Sequence, residues 1–219
     1  YGKKFVPKNF NYQSDKNSQL ISLNKIRNNE ETLAADLEKN NVKRNEIAKA
    51  VKKAIEDEIK ALEKLKKAKF SLTPEGIAMS KSFNKNKGRL IWPVERGEIT
   101  SKYGKHQHHL VTTAFVDNNG IDITTSKNAN VRAVFEGKVT SVLIIPGAGR
   151  VVMVSHGEYR TVYANLQEVY VKKGDQVKSK DKLGKLLAKE SGISESHFEI
   201  WRILSSGMNT VNPSLWLSK

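Results

Sequence analysis

The chain has 219 residues, of which 38% are hydrophobic and 28% are charged, and its formal net charge is +15 at pH 7. A chain of this length and composition can bury one core of moderate size and still supply an extended appendage. Because the chain contains no cysteine, disulfides, thiolate metal sites and thiol catalysis are excluded.

No apolar run in the sequence approaches the length needed to span a bilayer. Since residue 1 is Tyr, we expect the true N-terminus, with any signal peptide or lipid-anchor sequence, to lie outside this sequence. A basic chain suits nucleic acid, anionic lipid or an acidic polymer such as a cell wall. Here the basic residues are interspersed with Glu and Asp along a helical pattern, which is typical of a solvated helix face.

The first predicted element is a long helical arm over residues 17–69. Residues 1–16 are polar and include Pro7, so no regular structure is predicted there. Residues 17–69 contain neither Pro nor Gly, and their apolar residues recur in steps of three, four and seven, which is typical of one stripe of a coiled-coil helix. These apolar residues are Leu23, Ile26, Leu33, Leu37, Ile47, Val51, Ile55, Ile59 and Leu62.

The arm has two possible arrangements. A turn at residues 39–41 would fold it into a helical hairpin, but one continuous helix is favoured because no Gly or Pro marks a break. At about 1.5 Å per residue, such a helix would be roughly 75 Å long. An apolar stripe this narrow needs a partner, and we expect a partner helix from a preceding part of the protein or from another chain.

Residues 70–89 are predicted to form a short, separate helix. Thr73 can cap its N-terminus and Pro74 suits the first helical position, so the helix should run from about residue 74 to residue 84. The sequence leaves two roles open for this segment, which is either a plain connector or a regulatory element.

Residues 90–219 change to a pattern of short strands and turns. Alternating or β-branched runs are separated by turn sequences such as Lys173-Gly174-Asp175. The predicted strands cover residues 131–135, 138–145, 150–155, 160–164 and 169–171. This spacing favours an antiparallel β domain, so the predicted fold class is α+β, with a helical arm followed by a β domain.

Motifs in this β region follow a characteristic order. The first half contains Trp92-Pro93-Val94, Ile99-Thr100-Ser101-Lys102-Tyr103-Gly104, Asn119-Gly120-Ile121-Asp122-Ile123, Val131-Arg132-Ala133 and Gly137-Lys138-Val139. The second half contains His156-Gly157, Thr161-Val162-Tyr163-Ala164-Asn165-Leu166, Val171-Lys172-Lys173-Gly174-Asp175-Gln176-Val177, His197-Phe198-Glu199-Ile200 and Asn212-Pro213. By these motifs, residues 90–219 resemble the lysostaphin-type (LytM) zinc metallopeptidase family, which implies an antiparallel fold of the duplicated hybrid motif type. The arm before such a domain further resembles the EnvC family of division-associated activators of cell-wall amidases.

The resemblance implies a metal site that is incomplete in this chain. Active members of the family hold zinc by the His and Asp of an H-x-G-x-D motif and the second His of H-x-H, and these positions are Asn118, Asp122 and His197 here. Two further family histidines assist the attacking water, and Asn165 and Glu195 stand in their places. An amide is a weak, neutral ligand and does not titrate in water, so we expect no metal cofactor and no catalysis.

One alternative at this site stays open. Glu195 could act as a base or as a ligand, which would give an altered metal site. The remaining histidines do not complete the ligand set. His106, His108 and His109 are expected in a loop away from the matching positions, and His156 follows a strand where the family has a histidine outside the site.

The resemblance implies a non-catalytic role for the retained fold, as a periplasmic activator in a Gram-negative envelope. The degenerate groove would dock a zinc-dependent N-acetylmuramoyl-L-alanine amidase, and the arm would receive a signal from an FtsEX-type transporter at the division site. Peptidoglycan is a further partner in this interpretation. The residues expected to contact the amidase are Tyr163, Asn165, Glu195 and Arg202. The segment 74–84 is expected to lie across or beside the groove as a weak lid.

Other functions remain open on sequence alone. An active zinc-dependent peptidoglycan endopeptidase would require metal binding by the altered ligand set. A lipoyl-like membrane-fusion adaptor also combines a helical hairpin with the patterns Gly137-Lys138-Val139 and Gly174-Asp175-Gln176-Val177, but it does not account for His197-Phe198-Glu199-Ile200. Nucleic-acid binding rests on charge alone, without an aromatic and basic motif, so we predict no nucleic-acid partner.

Overall fold

The computed structural model describes residues 9–66, 72–107, 115–189, 191–204 and 206–219. Within these ranges, two helices precede a set of strands and a single 3₁₀ turn. Helix α1 spans Asn9–Lys66, helix α2 spans Pro74–Lys85, and the 3₁₀ turn spans Pro213–Leu215. No helix among the described residues is long and apolar enough to cross a membrane.

Helix α1 is one continuous helix of 58 residues, about 87 Å long at 1.5 Å per residue. It runs through residues 39–41 without a break, so the hairpin alternative is excluded. It begins at Asn9, which makes residues 9–16 helical, whereas the sequence predicted no structure there. The physical reason is that Pro7 is the last helix-breaking residue, and the polar residues after it lower helix propensity only weakly. Residues 1–8 and 67–69 lie outside the described residues.

The strands form an almost entirely antiparallel β domain. Their bounds are β1 Glu98–Ser101, β2 Gly104–Gln107, β3 Phe115–Asn118, β4 Ile121–Ser126, β5 Asn130–Arg132, β6 Gly137–Ile145, β7 Gly149–His156, β8 Tyr159–Val169, β9 Gln176–Val177, β10 Lys182–Leu186, β11 Ile193–Leu204 and β12 Gly207–Val211. The predicted strand at 131–135 is shorter than expected, and residues 169–171 form no separate strand because β8 continues to Val169.

The main sheet has the strand order β1-β4-β11-β8-β7-β6-β9, with β10 pairing β5 and β8 and with β12 pairing β11. Strands β2 and β3 form a separate hairpin. Every strand pair that we describe is antiparallel. Strand β11 is central, since it pairs β4 on one side and β8 on the other, and this places the family motifs of these three strands side by side.

One face of the sheet covers the main hydrophobic core of the β domain. Its larger members include Ile121, Ile123, Tyr163, Leu166, Leu183, Leu186 and Phe198, all fully buried. The opposite face is also apolar, and residues 159–166 of β8 are therefore buried at every position. A strand buried on both faces requires a second covering layer, and α1 provides it.

The apolar stripe of α1 packs on the sheet of its own chain. Ile47, Val51 and Ile55 are at most 1% exposed. The sheet residues of the same cluster are Val151, Met153, Val162, Ala164, Trp201 and Ile203, together with Ile145 and Ala148 at the β6–β7 turn. The structure thus shows α1 as a long helix, and a sheet takes the place of the expected partner helix over residues 47–55. Helical periodicity identifies an apolar stripe but not the surface that covers it.

Helix α2 forms as predicted and packs at another edge of the β domain. The Thr73 side chain accepts a hydrogen bond from Gly76 N at 3.1 Å, and Pro74 lies at the start of the helix. Phe83 is fully buried and stacks on the His156 ring, with the ring centroids 4.7 Å apart. Close packing here requires Gly157, where a Cβ atom would lie 2.1 Å from the Ser80 hydroxyl.

Candidate functional site

The five positions of the expected metallopeptidase site come together at one end of the central strands. Asn118 ends β3, Asp122 lies on β4, Asn165 lies on β8, and β11 carries Glu195 and His197. His197 is opposite Asp122 across one strand pair and opposite Ala164 across the other. Antiparallel pairing therefore explains why residues up to 79 positions apart in the sequence share one site.

His197 is the centre of a buried hydrogen-bond network. Its Nδ1 lies 2.6 Å from Asp122 Oδ1, and its Nε2 lies 2.9 Å from Glu199 Oε1. A ring that donates from both nitrogens to two carboxylates is an imidazolium. Burial alone would lower the pKa of His197, but the hydrogen bonds and charges of Asp122 and Glu199 outweigh it and raise the pKa to about 10.

Glu199 is a site residue that the sequence analysis did not assign. Its side chain is fully buried, and its second oxygen accepts a hydrogen bond of 2.6 Å from Trp201 Nε1. The available signal was strand periodicity, because His197, Glu199 and Trp201 alternate along β11 and therefore lie on one face of the sheet.

Arg44 of α1 provides the second cation of the network. Its Nη2 and Nε lie 2.5 Å and 3.2 Å from Asp122 Oδ2, and Nη2 lies 3.3 Å from Ser101 Oγ. Burial alone would raise the pKa of Asp122, but the hydrogen bond and charge of His197, together with Arg44, lower it to about 2. The positive charges of His197 and Arg44 thus balance the negative charges of the carboxylates of Asp122 and Glu199.

Asn118 has a structural role at the first ligand position. Its side-chain oxygen accepts a hydrogen bond of 3.0 Å from Gly120 N, which holds the turn between β3 and β4. Its amide nitrogen donates to Ser101 Oγ at 3.1 Å. With its oxygen engaged in the turn, Asn118 directs a donor, and not a metal-binding lone pair, toward the rest of the site.

Asn165 and Glu195 lie beside each other at the rim of the network. Asn165 has a φ of +66°, and its amide donates to the Glu195 backbone oxygen at 3.1 Å. Its side-chain oxygen is buried without a hydrogen-bond partner among the residues the structure describes. The Glu195 carboxylate pairs with Lys189 at 3.0 Å. Burial lowers the pKa of the nearby Lys43, and the negative charge of Glu195 opposes this effect.

Helix α1 closes the end of the groove that holds these residues. A void of only about 10 Å³ remains between α1 and the site, and its lining includes Asn40, Lys43, Arg44 and Ile47 from the helix. Beyond this closed end the groove opens into a cleft of about 670 Å³ between α1 and the strands β1, β2 and β3. The cleft is lined by Leu33, Leu37, Asn40, Arg44, Thr100, Ser101, Lys102, Tyr103, His106, Gln107, Val116 and Glu195.

The prediction that segment 74–84 covers the groove is therefore wrong. Helix α2 contributes no residue to the closed end or to the cleft, because Phe83 and Ser80 anchor it near Gly157. The element over the groove is α1, whose apolar stripe seats it on the outer face of the sheet.

Two of the expected amidase contacts do not face the groove. Tyr163 is fully buried in the main core, and its hydroxyl accepts a hydrogen bond of 3.0 Å from Val134 N, because its side chain points to the opposite face from Ala164. Arg202 lies five residues beyond His197 on β11, about 16 Å along the strand, and pairs with Glu158 at 3.1 Å. Asn165 and Glu195 do line the groove.

The two other histidines that the structure describes, His106 and His156, take no part in the network. His106 lies on β2 and lines the cleft, so its expected place in a loop is wrong. His108 and His109 lie outside the described residues. His156 is fully buried and contacts Glu136 O at 2.6 Å and Thr161 Oγ1 at 2.8 Å, and its burial lowers its pKa to about 3.

The donor set does not fit a zinc ion. Both nitrogens of His197 and both oxygens of Asp122 are engaged in hydrogen bonds, and a cationic guanidinium occupies the open side of Asp122. Among the described residues, no group of three or more His, Cys, Asp or Glu side chains could hold a metal ion. Catalytic zinc sites normally use three protein ligands with free lone pairs.

We expect purified protein to bind no stoichiometric zinc. Zinc would have to displace Arg44 from Asp122 and remove a proton from His197, whose pKa of about 10 opposes this at neutral pH. The measurement is metal analysis after chelator treatment and reloading with zinc. Tight binding of one zinc per chain that is lost in His197→Ala would contradict the expectation.

The two buried histidines should carry opposite protonation states at neutral pH. His197 should be doubly protonated at pH 7 and should titrate only near pH 10, while His156 should remain neutral at pH 7. Nitrogen-15 NMR of the two imidazole rings between pH 5 and 10 measures both states, since ring shifts report protonation. A His197 ring that loses its proton below pH 8 would contradict the network.

The shifts of His197 and Asp122 each add to the pH dependence of stability, whereas the lowered pKa of the buried His156 costs stability as the pH falls below about 6.5. The raised pKa of His197 gives stabilisation that is complete below about pH 6.5 and is lost as the pH rises through about 10. The lowered pKa of Asp122 gives stabilisation that is present above about pH 3.8 and is lost as the pH falls toward 2. Both contributions are therefore complete only between about pH 3.8 and 6.5.

Comparison with known proteins shows what the β domain is similar to. Residues 116–213 match the model of Peptidase family M23. An uncharacterized metalloprotease of Haemophilus influenzae is 34% identical over 119 residues, which are 52% of this chain and 25% of the relative. Peptidoglycan DD-endopeptidase ShyB of Vibrio cholerae is 33% identical over 131 residues, 57% of this chain and 29% of the relative. A solved zinc-containing peptidase from Vibrio cholerae is 28% identical. The alignment covers 58% of this chain and 40% of the peptidase chain, with a TM-score of 0.46.

These matches support the coarser part of the sequence interpretation. Residues 116–213 match this family model, and the sheet is mostly antiparallel, as the resemblance implies. The chain spans less than a third of the length of the two curated relatives named above.

Proposed function

We propose that this chain is a non-catalytic M23-type protein of the cell envelope that activates a zinc-dependent N-acetylmuramoyl-L-alanine amidase. The observation that carries the proposal is the state of His197 and Asp122, whose four polar side-chain atoms are all consumed by internal partners. A site in this state has no open ligand position, and so no means to lower the pKa of an attacking water. In this proposal, the retained fold serves to recognise the amidase.

The groove offers a suitable docking surface for a protein partner. The open cleft of about 670 Å³ combines apolar residues such as Leu37 and Val116 with the aromatic ring of Tyr103 and the cation Lys102. Interfaces of this kind use buried apolar and aromatic anchors within a polar rim. At the closed end, the side-chain oxygen of Asn165 has no hydrogen-bond partner among the described residues, and a docked partner could supply one once α1 has moved.

In this proposal α1 regulates access to the groove. Two buried ion pairs fix the helix, Arg44–Asp122 over the site and Glu58–Arg160 farther along, where Arg160 Nη2 lies 2.7 Å from Glu58 Oε1. Burial of three aliphatic side chains between them stabilises the closed state by about 5–9 kcal/mol as an upper estimate. A partner of nanomolar affinity has about 12 kcal/mol available, so it could displace the helix with help from a signal. An FtsEX-type transporter acting on α1 is the proposed source of that signal.

The relatives support a cell-wall setting for this activity. ShyB is a peptidoglycan DD-endopeptidase by name, and it is 33% identical to this chain over 131 residues. We therefore propose a periplasmic location, with peptidoglycan as the polymer on which the partner acts. The net charge of +15 suits an acidic wall polymer, although charge alone does not select it.

The test is a dye-release assay on labelled cell walls. It compares this protein alone, a candidate amidase alone, and both together, each with added zinc. We expect no release by this protein alone and an increase over the amidase alone in the mixture. Release by this protein alone that is lost in His197→Ala would instead establish an altered peptidase, and an unchanged mixture would refute amidase activation.

A further inference from the structure

A second cleft, outside the groove, has a volume of about 470 Å³. It is formed by three chain segments, the turn at residues 95–96, the end of β4 with the start of β5, and the connection from β9 to β10. Its lining residues are Glu95, Arg96, Thr125, Ser126, Lys127, Asn128, Ala129, Asn130, Arg132, Lys180 and Lys182. We call this the basic cleft. It shares no lining residue with the groove.

Positive charge is concentrated in the basic cleft. Five of its lining residues are Lys or Arg and one is Glu. In the part of the chain that the structure describes, none of the five cations makes an ion pair; they are Arg96, Lys127, Arg132, Lys180 and Lys182. A concave surface lined by one sign of charge focuses the field and concentrates counter-ions.

Two of these cations oppose each other directly across a strand pair. Lys182 on β10 is the register partner of Arg132 on β5. Like charges at directly opposite positions destabilise a sheet. Arg132 cannot turn away freely, because its guanidinium donates to the Trp92 backbone oxygen at 3.0 Å. The sheet register therefore sets two like charges opposite each other, and an anion bound beside both would relieve their repulsion.

The lining also defines the kind of anion. It contains no aromatic ring, so it lacks a stacking platform for nucleic-acid bases, and its one apolar residue, Ala129, offers no anchor for a membrane or a protein partner. What remains is Arg and Lys with hydroxyl and amide groups, the donors that proteins use for phosphate. Several cations at one site suit adjacent phosphates better than a single one.

We propose that the basic cleft binds a compact diphosphate group. The group is either free or the headgroup of a lipid in the envelope, and both sources present the same chemistry to Arg132, Lys182 and the neighbouring lysines. This site is independent of the groove and of the proposed activation of an amidase.

The decisive variant is Lys182→Glu, tested in the full chain with inorganic pyrophosphate as the probe. The substitution replaces the repulsive pair with an attractive one, so the variant should melt at a higher temperature than the wild type. It should also bind pyrophosphate at least about tenfold more weakly by calorimetry at low salt, because the anion then meets a carboxylate. Pyrophosphate should raise the melting temperature of the wild type and not that of Lys182→Glu.

Lys172→Glu is the matched control, since Lys172 is exposed and lies outside the basic cleft while the change in net charge is identical. The control should bind pyrophosphate like the wild type. Vesicles that carry a prenyl diphosphate and vesicles of phosphatidylglycerol distinguish the sources. Binding to the former supports a lipid headgroup, and binding to pyrophosphate alone supports a free ligand. The proposal is overturned by a wild type that binds no pyrophosphate, by equal weakening in Lys172→Glu, or by binding to phosphatidylglycerol vesicles alone.

Discussion

Replacing Asp122 with Ala is expected to destabilise the protein by about 3–5 kcal/mol, because it removes one partner of a buried charge network. Asp122 is 2% exposed and accepts hydrogen bonds from both His197 and Arg44. Without it, two cations lie close together in a site that keeps only the Glu199 carboxylate. Urea unfolding followed by circular dichroism measures the change.

Asp117→Ala is the matched control for this prediction. Asp117 is exposed on β3, five positions before Asp122, so its loss should change stability by no more than about 0.5 kcal/mol. The double variant Asp122→Ala/Arg44→Ala should be less destabilised than the sum of the two single variants, since Arg44 has already lost its partner. A loss below 1 kcal/mol for Asp122→Ala would mean that the network contributes little to the fold.

Val51→Asp is expected to release α1 from the sheet. Val51 is fully buried between Ile47 and Ile55, and a carboxylate at this position would lie in an apolar cluster that includes Met153. Exposing this part of α1 to water costs less free energy than burying a charge without a partner. The region around residues 44–58 should therefore detach while the β domain stays folded. Hydrogen exchange measures this directly, through lost protection in α1 and retained protection in β7, β8 and β11.

The same variant separates the regulatory role of α1 from the docking role of the groove. With Arg44 withdrawn, a candidate amidase should bind at least about tenfold more tightly, since the conformational penalty of opening is removed. Val42→Asp is the control, because Val42 is exposed on the same helix and adds the same charge. Loss of α1 protection without tighter binding would refute regulation by α1, and loss of binding in Val51→Asp/Glu195→Arg would support docking at the groove.

The positions of the site could be found from the sequence, but their state could not. The motif order placed Asn118, Asp122 and His197 at the ligand positions, and the structure brings them together on β3, β4 and β11. Strand periodicity could have identified Glu199 as a site residue. Arg44 was not, because it lies 78 residues from Asp122 and no local pattern marks a helical arginine as the partner of a strand carboxylate.

The sequence by itself determined the local properties of this protein. The absence of Pro and Gly after Pro7 determined a long helix, Thr73 and Pro74 determined the start of α2, and the turn residues determined a domain of short antiparallel strands. Asn118 determined that imidazole is missing at the first of the expected ligand positions. Each of these properties depends on residue type and on neighbours within a few positions of the chain.

The tertiary structure alone decided what covers the apolar stripe of α1 and what fills the groove. A stripe of Ile and Val has the same pattern whether it meets another helix or a sheet, since burial of apolar area has no direction. The outer face of β7, β8 and β11 happens to be apolar as well, and its contact with Ile47, Val51 and Ile55 sets the position of Arg44 one turn away. That contact, which no local pattern specifies, brings Arg44 to Asp122 and closes the ion-pair network around His197.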